Sequence, residues 1–197
     1  MQTFIIEQKI TAFANQYRVY GTDAAGKRAG LMGFAHQKRL ALKEKFEIFA
    51  DESKSSVLFT VQARQVMDLG ARYDVTTPDG SSVGVIGKQF GQSILRSTWG
   101  MYVPGQESAP ALTVRERSLP LAIIRRVWEF IPIASSIPFF VRYHFDFIRP
   151  DGTVVGSYSK TSTLLDHYRL SINDDVKDFD PRAYIAMGIM LDAMQSR

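Results

Sequence analysis

Apolar and polar residues alternate with period two over short stretches of this chain, and the stretches come in pairs joined by polar turns. Phe46 and Ile48 alternate before one polar run, and Val57, Phe59 and Val61 alternate after it. The clearest pair occurs twice: Tyr73-Asp-Val-Thr-Thr-Pro78-Asp79-Gly80-Ser-Ser-Val83-Gly84, then Phe145-Asp-Phe-Ile-Arg-Pro150-Asp151-Gly152-Thr-Val-Val155-Gly156. Matched positions stay 72 residues apart, as Pro78 and Pro150 do, so a whole unit is repeated. Pro sets φ for a type I turn, Asp tolerates the next position, and Gly supplies the positive φ that lets the strands resume pairing. Tyr17 to Gly30 is a fainter copy with its glycines four apart at Gly26 and Gly30; Phe46 to Val61 keeps the strands and loses the glycines. Hairpins of this kind predict a meandering antiparallel sheet, which at this number of strands curls and closes, removing its edges.

Two segments break the alternation. From Leu121 to Ile131 the period becomes helical: Ser118 can cap, Pro120 sits near the first helical position, and Pro132 stops the run. Leu121, Ile123, Ile124, Val127, Trp128 and Phe130 share one half of that wheel, opposite Arg125, Arg126 and Glu129, which makes an amphipathic helix. The second is the C-terminus, where Asp180 caps a helix starting at Pro181 and running through Met194. Its apolar residues surround the axis, so it is expected to be buried on all sides. Ala183 to Leu191 spans only about 14 Å at 1.5 Å per residue, too short for a bilayer, so protein must bury it.

A closed sheet around a buried terminal helix resembles the tubby C-terminal-like superfamily, and within it the LURP-one-related and phospholipid scramblase families. The resemblance rests on the two Asp-Gly, Val-Gly hairpins and on Asp175-Val-Lys-Asp followed by Ala186-Met-Gly188-Ile-Met-Leu191-Asp192, and covers roughly Tyr17 to Met194. It implies a twelve-stranded antiparallel β-barrel with the last helix through its centre, the whole chain forming one domain. It also implies a role near phospholipid. The chain departs from animal scramblases in lacking their proline-rich arm and palmitoylated cysteines. Its acidic run Asp174, Asp175, Asp178 and Asp180 lacks the alternate-residue spacing of a calcium loop, since Lys177 follows Asp175 two positions on.

Composition narrows the chemistry. The absence of cysteine removes disulfides, thiolate zinc sites and thiol catalysis, and fits a reducing compartment. The N-terminus reaches Glu7 after a short apolar run, so it reads as no signal peptide, and Leu119 to Val141 is broken by charges and prolines, so it reads as no transmembrane helix. The expected location is cytoplasmic, peripheral at the inner membrane face. Among His36, His144 and His167 no His-x-x-x-His spacing exists, and neither a phosphate-binding loop nor a nucleophile elbow is present; no metal, cofactor or catalytic residue is expected. His144 and Asp146 share a strand face, but alternation with Tyr143, Phe145 and Phe147 should turn both outward.

The net charge of +4 is gathered into groups: Lys38, Arg39, Lys43 and Lys45; Arg115 and Arg117; Arg125 and Arg126. No basic strand interleaved with aromatics appears, which argues against nucleic acid. Lys38, Arg39, Lys43, Arg125 and Arg126, with Trp128 as apolar anchor, form the expected contact with an anionic phospholipid surface, and the expected function is a non-enzymatic membrane-associating module. The alternative is a scaffold or sensor that binds a protein or small ligand through residues 98–138, where Trp99, Tyr102, Pro104 and Pro110 would supply the surface among Glu107, Glu116 and Glu129.

Overall fold

The structure, a computed structural model, describes residues 1–10, 14–38, 45–64, 72–89, 97–118, 143–162 and 166–195. Twelve strands follow one another: β1 (Gln2–Ile10), β2 (Ala14–Thr22), β3 (Arg28–Lys38), β4 (Lys45–Phe49), β5 (Val57–Ala63), β6 (Arg72–Thr76), β7 (Ser82–Lys88), β8 (Thr98–Tyr102), β9 (Leu112–Glu116), β10 (His144–Ile148), β11 (Val154–Lys160) and β12 (His167–Ile172). Each pairs antiparallel with its neighbours in sequence, and β1 closes the ring by pairing with both β2 and β12. The barrel is therefore a simple meander with no free edge. One helix, α1 (Pro181–Gln195), follows the last strand.

Alternation places one side of each strand inside. Phe4 and Ile6 of β1, Phe59 and Val61 of β5, Phe145 and Phe147 of β10 and Leu170 of β12 are all essentially inaccessible. The helix fills the space they enclose. It packs on β1 and β12 on one side and on β6 and β7 on the other, which lie across the ring from each other. Every residue from Ala183 to Ala193 is buried, as expected for a helix without a polar face. Its start is set by Asp180, whose carboxylate accepts the Arg182 backbone N–H at 2.9 Å and whose carbonyl accepts that of Ala183 at 2.9 Å. The Arg182 guanidinium also grips this carboxylate and holds it below the usual carboxylate range. The helix expected over 121–131 lies outside the described residues.

The repeat seen in the sequence recurs as a repeat in register. In β6–β7, Val75 pairs with Gly84 and Thr76 with Ser82, so Val83 is an extra residue; in β10–β11, Phe147 pairs with Gly156 and Ile148 with Val154, so Val155 is the extra one. Gly80 and Gly152 close the two turns at φ 85° and 87°, each donating its N–H to the residue three before it at 2.9 Å. The hairpin β4–β5 carries the same bulge, with Ile48 opposite Phe59 and Phe49 opposite Val57. There the left-handed position is held by Lys54, at φ 60°.

That position is strained for a residue with a Cβ. Relief of about 1–2 kcal/mol against a chain-entropy loss of about 0.5–1 kcal/mol makes Lys54→Gly stabilising by about 0.5–1 kcal/mol. A shift of the urea midpoint upward, with unchanged slope, is the expected result; a downward shift would mean that the Lys54 side chain contributes more than its backbone loses.

Candidate functional site

A twelve-stranded meander has two unlike ends. Connections β1–β2, β3–β4, β5–β6, β7–β8, β9–β10 and β11–β12 join strand ends at one end, the rim; the tight turns after β2, β4, β6 and β10 lie at the other. Helix α1 starts at the turn end and runs towards the rim, because its late residue Asp192 meets the rim-side starts of β2 and β12.

At the rim the core changes character. The Asp192 carboxylate is 1% exposed and takes three phenols from three parts of the sheet. Tyr17 of β2 donates to Oδ2 at 2.9 Å, Tyr143, the residue before β10, donates to Oδ1 at 3.0 Å, and Tyr168 of β12 donates to the same Oδ1. Gln8 of β1 donates its amide N–H to the Tyr17 hydroxyl at 3.0 Å, which commits the Tyr17 proton to Asp192. Tyr158 of β11 stacks on Tyr168 with ring centroids 5.3 Å apart. Asp166, nearer solvent, accepts from Lys160 at 2.6 Å and lies 3.5 Å from the Tyr168 hydroxyl.

Burial pushes the Asp192 carboxyl above the usual carboxylate range, against the three phenol donors that pull it down. Burial, then the neighbouring Asp192 charge, raises the phenols of Tyr17, Tyr143 and Tyr168 above their ordinary value, so all three stay protonated as donors. Chemically this is a tie between helix and sheet with a titratable group at its centre. Sequence reasoning missed it because its members are spread from residue 8 to residue 192. The signal available was one carboxylate inside an otherwise apolar, fully buried helix, which must find partners.

The residues expected to meet lipid are placed only by their flanks. Lys38 ends β3 and Lys45 begins β4, so Arg39 and Lys43 fall between them, outside the described residues. Arg125, Arg126 and Trp128 lie between β9 and β10, also outside the described residues. Both pairs of flanking strand ends reach the rim, on opposite sides of the ring.

Scanned against known families, the chain matches no family model. No curated protein aligns with it significantly.

Other expectations are settled by side-chain placement. Phe145 and Phe147 face the core, as alternation requires, and Asp146 lies on the outer wall gripped by Arg117 at 2.5–3.1 Å. The Tyr143 hydroxyl is turned to Asp192, away from any partnership with Asp146. The region from Thr98 onward, expected to be a loop surface, instead opens with the β8–β9 hairpin. Trp99 is in the core at 2% exposure, and Tyr102 lies against Gly87 and Gly100 under the Arg72 guanidinium, 4.2 Å from its ring. Glu107 reaches back along the wall to Arg64 and Arg72, and Glu116 is buried. The acidic run near α1 is used in ion pairs: Asp174 with the N-terminal amine, Asp175 and Asp178 with Arg149, and Asp180 with Arg182. Among the described residues no cluster of His, Asp or Glu could hold a metal ion, and no helix is long and apolar enough to cross a membrane.

Proposed function

We propose that this chain is a tubby-like barrel, akin to LURP-one-related and scramblase proteins, that associates without catalysis with anionic phospholipid surfaces through its rim. The observation that carries the reading is a charge asymmetry along the barrel axis. The six rim connections carry eight Lys and Arg against four Asp and Glu, with Arg64 and Arg117 among them already paired to Asp74 and Glu107 and to Asp146; the connections at the turn end, including the one into α1, carry four against ten, of which Glu107 reaches back to Arg64. A Lys or Arg close to an anionic leaflet contributes about 1 kcal/mol, and a carboxylate there opposes binding. The barrel is thus drawn rim first, and Lys38, Arg39, Lys43, Arg125 and Arg126 fall, in sequence, at or within connections that join strands at that end. Trp128 and its apolar neighbours supply the anchor that charge alone lacks. The competing reading, a protein-contact surface over 98–138, loses Trp99 to the interior and has Tyr102 covered by the Arg72 guanidinium.

Vesicle co-sedimentation tests the proposal. Binding is expected to vesicles containing phosphatidylserine at low salt, to weaken at high salt as the charges are screened, and to vanish on neutral vesicles. Arg125→Ala with Arg126→Ala should weaken binding by roughly tenfold to thirtyfold, the equivalent of two surface cations. No binding at low salt would end the proposal.

A further inference from the structure

The tyrosine-lined end of the core holds a titratable group that the membrane reading does not use. We propose that Asp192 is a proton-operated latch: ionised, it holds Tyr143, ahead of β10, to the end of α1; protonated, it lets Tyr143 go.

The geometry is that of the closed latch. Three hydroxyls converge on one carboxylate, two of them on Oδ1. Opposing forces leave the group poised. The donors favour the charge, whereas burial, the negative end of the helix dipole in the last turn of α1, and the nearby Asp166 carboxylate favour the neutral acid. Lys160, the cation among the described groups around the cluster, is paired with Asp166. Among the described residues, the groups that face the cluster are Gln8 from β1, Tyr17 from β2, Tyr143 ahead of β10, Tyr158 and Lys160 from β11, and Tyr168 and Asp166 at the start of β12; Glu116 of β9 is buried at the same end.

The site at which a proton lands is determined by these partners. Gln8 commits the Tyr17 hydrogen to Oδ2, so an added proton goes to Oδ1. There it meets the hydrogens of Tyr168 and Tyr143 head-on. Tyr168 has a second acceptor in Asp166, and by turning to it can accept the new proton's hydrogen bond; this also gives the proton a route from the rim, through Asp166 and Tyr168, to the interior. Among the described residues Tyr143 has no such second carboxylate. Of the three tyrosines it is the one whose side chain is only partly buried, so it is the one with room to swing out once Asp192 no longer accepts from it.

The Lys160 backbone N–H donates to the Tyr143 carbonyl at 3.2 Å, so its exchange rate reports the state of the latch. In full-length protein with carboxyl-labelled aspartate, the Asp192 carboxyl carbon is expected to titrate with a midpoint above the ordinary carboxylate value of about 4. Below that midpoint the Lys160 amide, corrected for intrinsic pH dependence, should exchange roughly fivefold faster, the effect of losing one hydrogen bond. In Asp192→Asn the exchange should no longer respond to pH. In Tyr168→Phe, which removes one donor to the charged form, the midpoint should rise. An Asp192 carbon that is flat from about pH 4 to 9, a Lys160 response that survives in Asp192→Asn, or, should that variant not fold, a midpoint unmoved in Tyr168→Phe would each overturn the latch.

Discussion

Asp192→Ala is expected to lower stability by about 3–5 kcal/mol, because Tyr17, Tyr143 and Tyr168 lose their shared acceptor, at about 1–3 kcal/mol for each hydroxyl left unpaired, and a cavity would remain. Removing a buried charge offsets part of this, which is why the figure does not run higher. Asp192→Asn keeps the shape and one acceptor, and should lose only about 1–2 kcal/mol. The pH dependence separates the two contributions. A carboxyl raised in the folded state holds its proton where the unfolded chain has released it, so stability declines as pH climbs from about 4 through the folded value. That decline should be missing from Asp192→Asn. Urea unfolding of the three proteins across this range is the measurement. An alanine variant with the wild-type midpoint would mean that the tyrosines find other acceptors.

Gly188→Leu should cost about 3 kcal/mol, at the upper end for overpacking. A Cβ at Gly188 would lie 3.1 Å from Ile6 Cδ1 and from the edge of the Tyr158 ring, so the helix there runs nearly against the wall. The first carbon is tolerable, since both neighbours are side-chain ends and alanine recovers about 1 kcal/mol of helix propensity; Gly188→Ala is expected to be close to neutral. The three further carbons of leucine have no space. Thermal denaturation distinguishes the outcomes: a leucine variant that melts with the wild type would contradict a helix enclosed by the sheet.

These two positions also mark how far the sequence could be read. The terminal helix, its cap and its burial follow from Asp180, Pro181 and an apolar wheel, all local. The hairpins follow from Asp-Gly turns, and their 72-residue spacing carries through to identical bulges. The first strand was harder to see and falls outside the span of the family resemblance: its inward side reads Phe4, Ile6, Gln8, and the glutamine breaks the apolar alternation because it serves Tyr17. The β8–β9 hairpin was hidden by proline and glycine in a long turn, Pro104, Gly105 and Pro110, and by a strand buried on both faces, Thr98 to Tyr102, which has no alternation to show. The Asp192 tie was illegible for a different reason. Its partners at 8, 17, 143 and 168 become neighbours only when the ring closes.

The order of elements along the chain gives the barrel an unusual assembly problem. Its filler, α1, is synthesised after all twelve strands, and its first strand cannot find its second partner until β12 exists. Twelve strands therefore leave the ribosome with a greasy inner face and nothing to put against it, and the pairing of β1 with β12 must wait until the last strand is made. Such long-range closure is slow, and the waiting sheet has two open edges. Nascent chains of this protein should thus depend on chaperones until the helix emerges, and loss of residues 181–195 should leave an aggregating sheet in place of a smaller folded domain.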